Sequence, residues 1–170
     1  MGHLEGITYL DSKDDGRYIL SNGKDQSMKL WDLRKAMSTA RSHELDIRRN
    51  KTFDYRWQEY NTAYWDEDPN DNSVVTFRGH KVLRTLIRCH FSPPGSSDSR
   101  YVYSGSHDGK VYIWNMDATL AGTIDVRATT YAPLAKAGMS HSRGGPPPPR
   151  WQTLVRDASW HPNAPVMAGK

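Results

Sequence analysis

One cysteine, Cys89, is all that the chain's 170 residues contain. No disulfide can close within it, which fits a reducing compartment, the cytosol or nucleus. Long apolar runs are missing too: none approaches the roughly 20 consecutive residues that span a bilayer as a helix, so no membrane role is expected. The opening MGHLEGITYL has no basic stretch leading into an apolar one, so no secretory signal is expected. Gly6 stands where N-myristoylation wants Ser or Thr. Charge of one sign is nowhere concentrated. The net charge is +4 and the pI near 9.2, yet the densest basic cluster is Arg48-Arg49 with Lys51, short of the basic face that nucleic acid requires. Chemistry-bearing motifs are equally thin. His43, His90, His107, His141 and His161 stand apart with no Cys-x-x-Cys or His-x-x-x-His spacing, and no Walker loop or G-x-G-x-x-G occurs, so neither metal nor cofactor is expected.

A hydrophobic fraction of 36% and a mean hydropathy of −0.79 are low for a compact domain and imply long polar loops. Six Trp and nine Tyr against three Phe favour strands and interaction surfaces over helical bundles.

What is present repeats. Gly2-His3 is followed by YILSNGKDQSMKLWDL at 18–33, and Gly79-His80 by YVYSGSHDGKVYIWNM at 101–116. In both, Ser precedes Asp by four residues (Ser21 and Asp25, Ser104 and Asp108), and Asp precedes Trp by six (Trp31, Trp114). A third copy opens with LVRDASWHPNAPVMAGK at 154–170, where Leu154, Arg156, Trp160 and Pro162 parallel Leu86, Arg88, Phe91 and Pro93. Runs such as YVYSGS and KVYIWN, joined by a short Asp-Gly turn, predict antiparallel strands.

Gly-His, a strand, an Asp-bearing turn and a strand ending in Trp-Asp resemble the WD-repeat signature of β-propellers. The resemblance implies an all-β chain: a partial propeller of about two and a half blades of four-stranded antiparallel sheet, with two long insertions. Blade one takes residues 1–34 and 73–78, with strands near 6–12, 17–22, 27–33 and 73–78. Blade two takes 79–124, with strands near 83–91, 100–105, 110–115 and 119–124, and 151–170 begins blade three. Too few blades are present to close a ring, so a fragment of a longer protein is expected. Residues 35–72 form the first insertion and 125–150 the second. The first holds Phe53, Tyr55, Trp57, Tyr60, Tyr64 and Trp65, either packed on the propeller or offered to a partner. The second ends in Pro146–Pro149, a stiff linker or a polyproline ligand.

Ser, His and Asp together suggest a hydrolase triad. The trio occurs twice, however, each time with a Trp, and G-x-S-x-G is absent around Ser21 and Ser104. The resemblance implies instead a structural network in each copy, His3, Ser21, Asp25 and Trp31, then His80, Ser104, Asp108 and Trp114, in which Trp donates, Ser and His link, and Asp accepts.

Two finer likenesses bear on function. Trp31-Asp32-Leu33-Arg34 resembles the box of WD-repeat receptors in cullin-4–RING ubiquitin ligases, which implies that Asp32 and Arg34 meet the damaged-DNA-binding adaptor protein. GITYLDSKDDGRYILSNGKDQSMKLWDLRK, DYRWQ, TFRGHKVLRTLIRCHFSP, YVYSGSHDGKVYIW and VRDASWHP are similar in order and wording to the cullin-4-associated factor eleven family, everywhere except 36–50, 58–72 and 125–150. That family implies a non-catalytic, intracellular substrate receptor, nuclear or cytoplasmic, that docks on the adaptor and presents an unidentified protein substrate. The alternative is a general WD-repeat interaction scaffold with no ligase connection; a hydrolase built on His80 and Ser104 is the third class. Two departures stand out. Asn115 and Asp117 replace the Asp and Arg of the box in the second copy, and the third copy has no Gly-His.

Overall fold

The computed structural model describes residues 2–45, 54, 56–58, 60, 61, 68–128 and 153–170. Strands β1 (Ile7–Ser12), β2 (Tyr18–Gly23), β3 (Met28–Asp32) and β4 (Val75–Phe77) form one antiparallel sheet in sequential order. Strands β5 (Cys89–Phe91), β6 (Tyr101–Ser104), β7 (Lys110–Asn115) and β8 (Leu120–Asp125) form a second with the same order. Strands β9 (Ala158–Trp160) and β10 (Met167–Gly169) pair as a third. The chain is thus a partial propeller of antiparallel four-stranded sheets.

Alternation along each strand supplies the two faces that such a stack buries. In register, Leu20 opposes Leu30, Met28 opposes Phe77, and Val102 opposes Trp114. Leu20, Met28, Leu30 and Phe77 of the first sheet meet Cys89, Phe91, Val102 and Trp114 of the second in one core. Tyr103 and Val111, on the other face of the second sheet, meet Val155 and Ala158 of the third segment in another. Covering both faces also buries polar positions of β2 and β3, namely Ser21, Asn22, Lys29 and Asp32. Each must find a partner inside the protein or carry a desolvation cost.

Two seams join the three sheets, and equivalent residues treat them differently. In the first seam Asn22, which follows Ser21, donates to the Ile87 carbonyl at 3.1 Å. Gln26, in the turn after Asp25, sits in the left-handed region at φ 63°. Its amide answers both backbone groups of Val82, with Nε2 donating to the carbonyl and Oε1 accepting from the N–H, each at 2.8 Å. These paired bonds hold a non-glycine residue where the backbone is strained. In the second seam the corresponding residues are Gly105 and Gly109. Gly109, at φ 84°, suits the left-handed turn without help. A Cβ on Gly105 would overlap the Val155 carbonyl oxygen. Gly105→Ala is therefore expected to cost about 2 kcal/mol, since overpacking against backbone leaves little room to adjust. Faster amide exchange in β9 and β10 would register the loosened third sheet, and unchanged exchange would contradict it.

The second copy's first strand is shorter than the sequence predicts. Residues 83–88 are not strand, because Arg84 adopts φ 61° and the Arg88 N–H bonds the Arg156 carbonyl at 2.9 Å. After β5, Ser92-Pro93 leads into the single-turn helix α2 (Pro94–Ser97). In the first insertion a short helix, α1 (Thr39–His43), is capped by the Ser38 hydroxyl. Phe53, Tyr55, Tyr64, Trp65 and Pro146–Pro149 lie outside the described residues, as does most of 125–150.

Candidate functional site

The first copy of the Ser/His/Asp/Trp set forms a continuous chain of hydrogen bonds. Trp31 Nε1–H donates to Ser21 Oγ at 2.7 Å. Ser21 Oγ lies 2.7 Å from His3 Nε2, and His3 Nδ1 lies 3.0 Å from Asp25 Oδ2. An indole nitrogen can only donate, so the Ser21 proton points at His3 Nε2, and Nδ1–H faces the carboxylate. The Ser27 hydroxyl at 2.7 Å, the Leu4 N–H at 2.9 Å and the Ser27 N–H at 3.1 Å also donate to Asp25. Burial works to raise the Asp25 pKa, but the bonds from His3, Ser27 and Leu4 together pull it below the ordinary value.

The distances are those of a Ser-His-Asp triad, but the surroundings are not. Ser21 is fully buried, and its oxygen already accepts from the indole. No substrate carbonyl can approach it, so the arrangement ties β2, β3 and the N-terminal segment together rather than activating a nucleophile.

The second copy departs from this expectation: His80, Ser104, Asp108 and Trp114 do not link. His80 Nε2 bonds Asn22 Oδ1 across the first seam at 2.7 Å, and its Nδ1 has no partner among the described residues. Ser104 Oγ turns to the Arg88 and Gly105 carbonyls and accepts from Asn22 Nδ2 at 3.3 Å. Trp114 donates to the Arg78 carbonyl at 3.2 Å. Tyr112 takes Asp108, hydroxyl to carboxylate at 2.8 Å. The physical reason is the residue four past the Asp, which is Lys29 in the first copy and Tyr112 in the second. The Tyr112 ring stacks on Trp114 with its hydroxyl on Asp108, while Lys29 reaches Asp71 at 2.5 Å and Thr76 at 2.7 Å. Asp108 is thereby committed, and Asn22 takes the His80 ring. His80 and Ser104 share no bond, so the hydrolase reading built on them has no geometry behind it.

Asp32 and Arg34 part company. Asp32 is buried and has two structural tasks. It receives Arg17 Nε and Nη2 at 3.0 and 2.7 Å, and it accepts from the Arg34 N–H at 3.1 Å, capping the 3-10 turn Leu33–Lys35. The Arg17 guanidinium, more than any other group, holds the Asp32 carboxyl below its ordinary pKa. Arg17 in turn lies 4.6 Å from the Tyr18 ring centroid. The Arg34 side chain is 65% exposed, with its Nε 3.7 Å from Asp32. Sequence reading missed Arg17; the one available signal was that Tyr18 opposes Asp32 once β2 and β3 are paired, which sets Arg17 beside the strand end.

A polar cavity of about 650 Å³ lies beside the network, lined in part by Asp25, Ser27, Lys29, Asp71, Thr76 and Arg78. Lys29 and Asp71 already form an ion pair there, Asp25 is held by His3 through a hydrogen bond, and no group of three His, Cys, Asp or Glu among the described residues is placed to hold a metal. In the DYRWQ stretch, Gln58 and Asp54 close a small turn through Asp54 N–H to Gln58 Oε1 and Gln58 N–H to Asp54 O, which leaves Trp57 79% exposed.

The model for the WD domain, G-beta repeat, matches residues 1–32 and 71–115, the two copies that carry the Ser, His, Asp and Trp set. The chain is 44% identical to the LEC14B protein of Lithospermum erythrorhizon, over 98% of this chain and 30% of that protein. It is 36% identical to the DDB1- and CUL4-associated factor 11 homolog of Caenorhabditis elegans, over 95% of this chain and 24% of that protein. It is 27% identical to the Denticleless protein homolog B of Xenopus laevis, over 72% of this chain and 20% of that one. The chain thus spans 30% or less of the length of these relatives.

Proposed function

We propose that this chain, which carries WD repeats and resembles the DDB1- and CUL4-associated factor 11 homologues, serves as part of a non-catalytic substrate receptor for a cullin-4–RING ubiquitin ligase. The observation that carries the reading is the turn after β3. Asp32 fixes its backbone from below and Arg17 braces Asp32, so Arg34 is presented outward on a rigid base. An exposed arginine on a preorganised turn is a favourable anchor for a partner surface, because little side-chain and loop ordering remains to be paid on docking. The partner is the adaptor DDB1, within an intracellular complex of the nucleus or cytoplasm. Ubiquitin transfer chemistry belongs to the partner enzymes. No described helix is long and apolar enough to cross a membrane.

Arg34→Ala is expected to lower co-purification of DDB1 with this chain about tenfold while leaving thermal stability unchanged, since the side chain is exposed. Asp32→Ala is expected to lower both, because it removes the cap and frees Arg17. Equal recovery with Arg34→Ala would remove Arg34 from the interface. The alternative, a general WD-repeat scaffold without a ligase connection, is favoured by DDB1 recovery no higher than background for the unsubstituted chain alongside capture of other partners.

A further inference from the structure

The first strands of the three sheets, or the segments leading into them, lie side by side: Thr8 Oγ1 donates to the Ile87 carbonyl at 2.9 Å, and the Arg88 N–H to the Arg156 carbonyl at 2.9 Å. Between them runs an open groove of about 490 Å³ lined by Thr8, Tyr9, Leu86 and three arginines, Arg84, Arg88 and Arg156, with no acidic residue in its lining. The arginines are not equivalent. Arg88 lies 5.1 Å from the Tyr9 ring centroid and pairs with Asp157 at 3.2 Å. The same Asp157 carboxylate also meets His90 at 2.9 Å, and His90 lies 3.7 Å from Asp11. The nearby acids are therefore spent on Arg88 and His90. Among the described residues, the Arg84 and Arg156 guanidiniums meet no carboxylate. Arg84 stands out further: at φ 61° it occupies a left-handed position where glycine is usual, yet it carries a long cationic side chain at the groove. Leu86, 51% exposed, adds one apolar contact.

We propose that this groove binds an acidic peptide segment, with carboxylates on Arg84 and Arg156 flanking one apolar side chain against Leu86. Arginine recognises carboxylates through paired, planar N–H donors, and two unneutralised arginines beside a neutralised one give such a ligand a defined place to sit. The groove fits a peptide better than nucleic acid. It is short, it mixes aromatic and aliphatic lining with its charge, and it offers two unneutralised cations rather than a track of them. This proposal deepens the receptor reading by naming the chemistry of the segment captured, and it rests on that reading for its purpose.

The test is fluorescence polarisation with the whole chain and a labelled peptide of Asp and Glu residues around one Leu. The expected result is saturable binding that weakens as salt is raised and falls about tenfold or more in the R84A/R156A double variant. The peptide with Asn and Gln in place of its acids should not bind. Because both arginines are exposed, the variant should keep its thermal midpoint. If it does not, R84K/R156K takes its place, and loss of bidentate geometry should still weaken binding. Equal binding by the unsubstituted chain and the variants, insensitivity to salt, or tighter binding of a single-stranded oligonucleotide than of the peptide would each overturn the proposal. Loss of peptide binding with DDB1 capture intact sinks this inference alone; loss of DDB1 capture with peptide binding intact sinks the receptor reading alone.

Discussion

Asn22→Ala is expected to destabilise the fold by about 3 kcal/mol, although the residue belongs to none of the motifs that mark the repeat. Its side chain is wholly buried at the seam between the first and second sheets. There it donates to the Ile87 carbonyl and Ser104 Oγ and accepts from His80 Nε2. Truncation leaves the Ile87 carbonyl with its Thr8 bond and leaves Ser104 with its backbone acceptors. His80 fares worse. Its Nδ1 already has no partner among the described residues, so the imidazole would become a buried polar ring with no hydrogen bond to any of them. A single buried group stranded in this way costs about 1–3 kcal/mol, and the space left by the amide adds to that. Urea denaturation of the two chains compares them directly. A loss below about 1 kcal/mol, well under the usual cost of stranding a buried group, would mean that apolar packing alone holds the seam.

Acid should weaken the protein through the same histidine. Burial is the main cause that lowers the His80 pKa from 6.5 to about 4; Asp25 and Asp108 act to raise it, and His3 to lower it further. Above pH 6.5 the ring is neutral in both the folded and unfolded chains and contributes no slope. Between 6.5 and 4 the unfolded chain takes up the proton and the folded chain does not, so stability falls with pH. At about 1.4 kcal/mol per pH unit the loss over this window is about 3 kcal/mol. His90 does not offset it. Although burial pulls the other way, the carboxylates of Asp11 and Asp157 beside it raise its pKa, so its contribution is complete below 6.5 and is lost only on the alkaline side. Asp25, Asp32 and Asp71 have pKa values lowered from 3.8, so their contributions erode mainly below this window. Urea midpoints measured from pH 7 to 4.5 should decline, and His80→Gln, which keeps a donor for Asn22, should flatten the decline. A flat profile in the unsubstituted chain would contradict a neutral, buried His80.

The repeat was legible because its signal is local. Strand periodicity, the Asp-bearing turns and the Ser-to-Trp spacing are properties of short windows, and the strands fall within those windows, with β5 cut short to Cys89–Phe91. The first network was readable for the same reason. Its failure in the second copy turned on one residue outside the motif, Tyr112, which competes for Asp108 and does so only once it stacks on Trp114. Asp32 misled in the opposite direction. The box resemblance gave it only a partner-facing role, whereas Arg17 gives it an internal one that depends on strand pairing. The seams were the least legible feature. Whether Asn22 and Gln26, or Gly105 and Gly109, face a neighbouring sheet is decided by packing between elements far apart in the chain.

Those seams carry a geometric consequence. At the first, an asparagine side chain stands between the β2 backbone and the Ile87 carbonyl. At the second, the Val155 carbonyl comes right up to the bare backbone of Gly105. Ile87 and Val155 hold matching places in successive copies, so the gap between neighbouring sheets is filled by an amide side chain at one seam and closed by bare backbone at the other. A ligand that recognised one seam would not meet the same groups one unit further on, however alike the copies look in sequence. Unlike joints give a repetitive chain an address system.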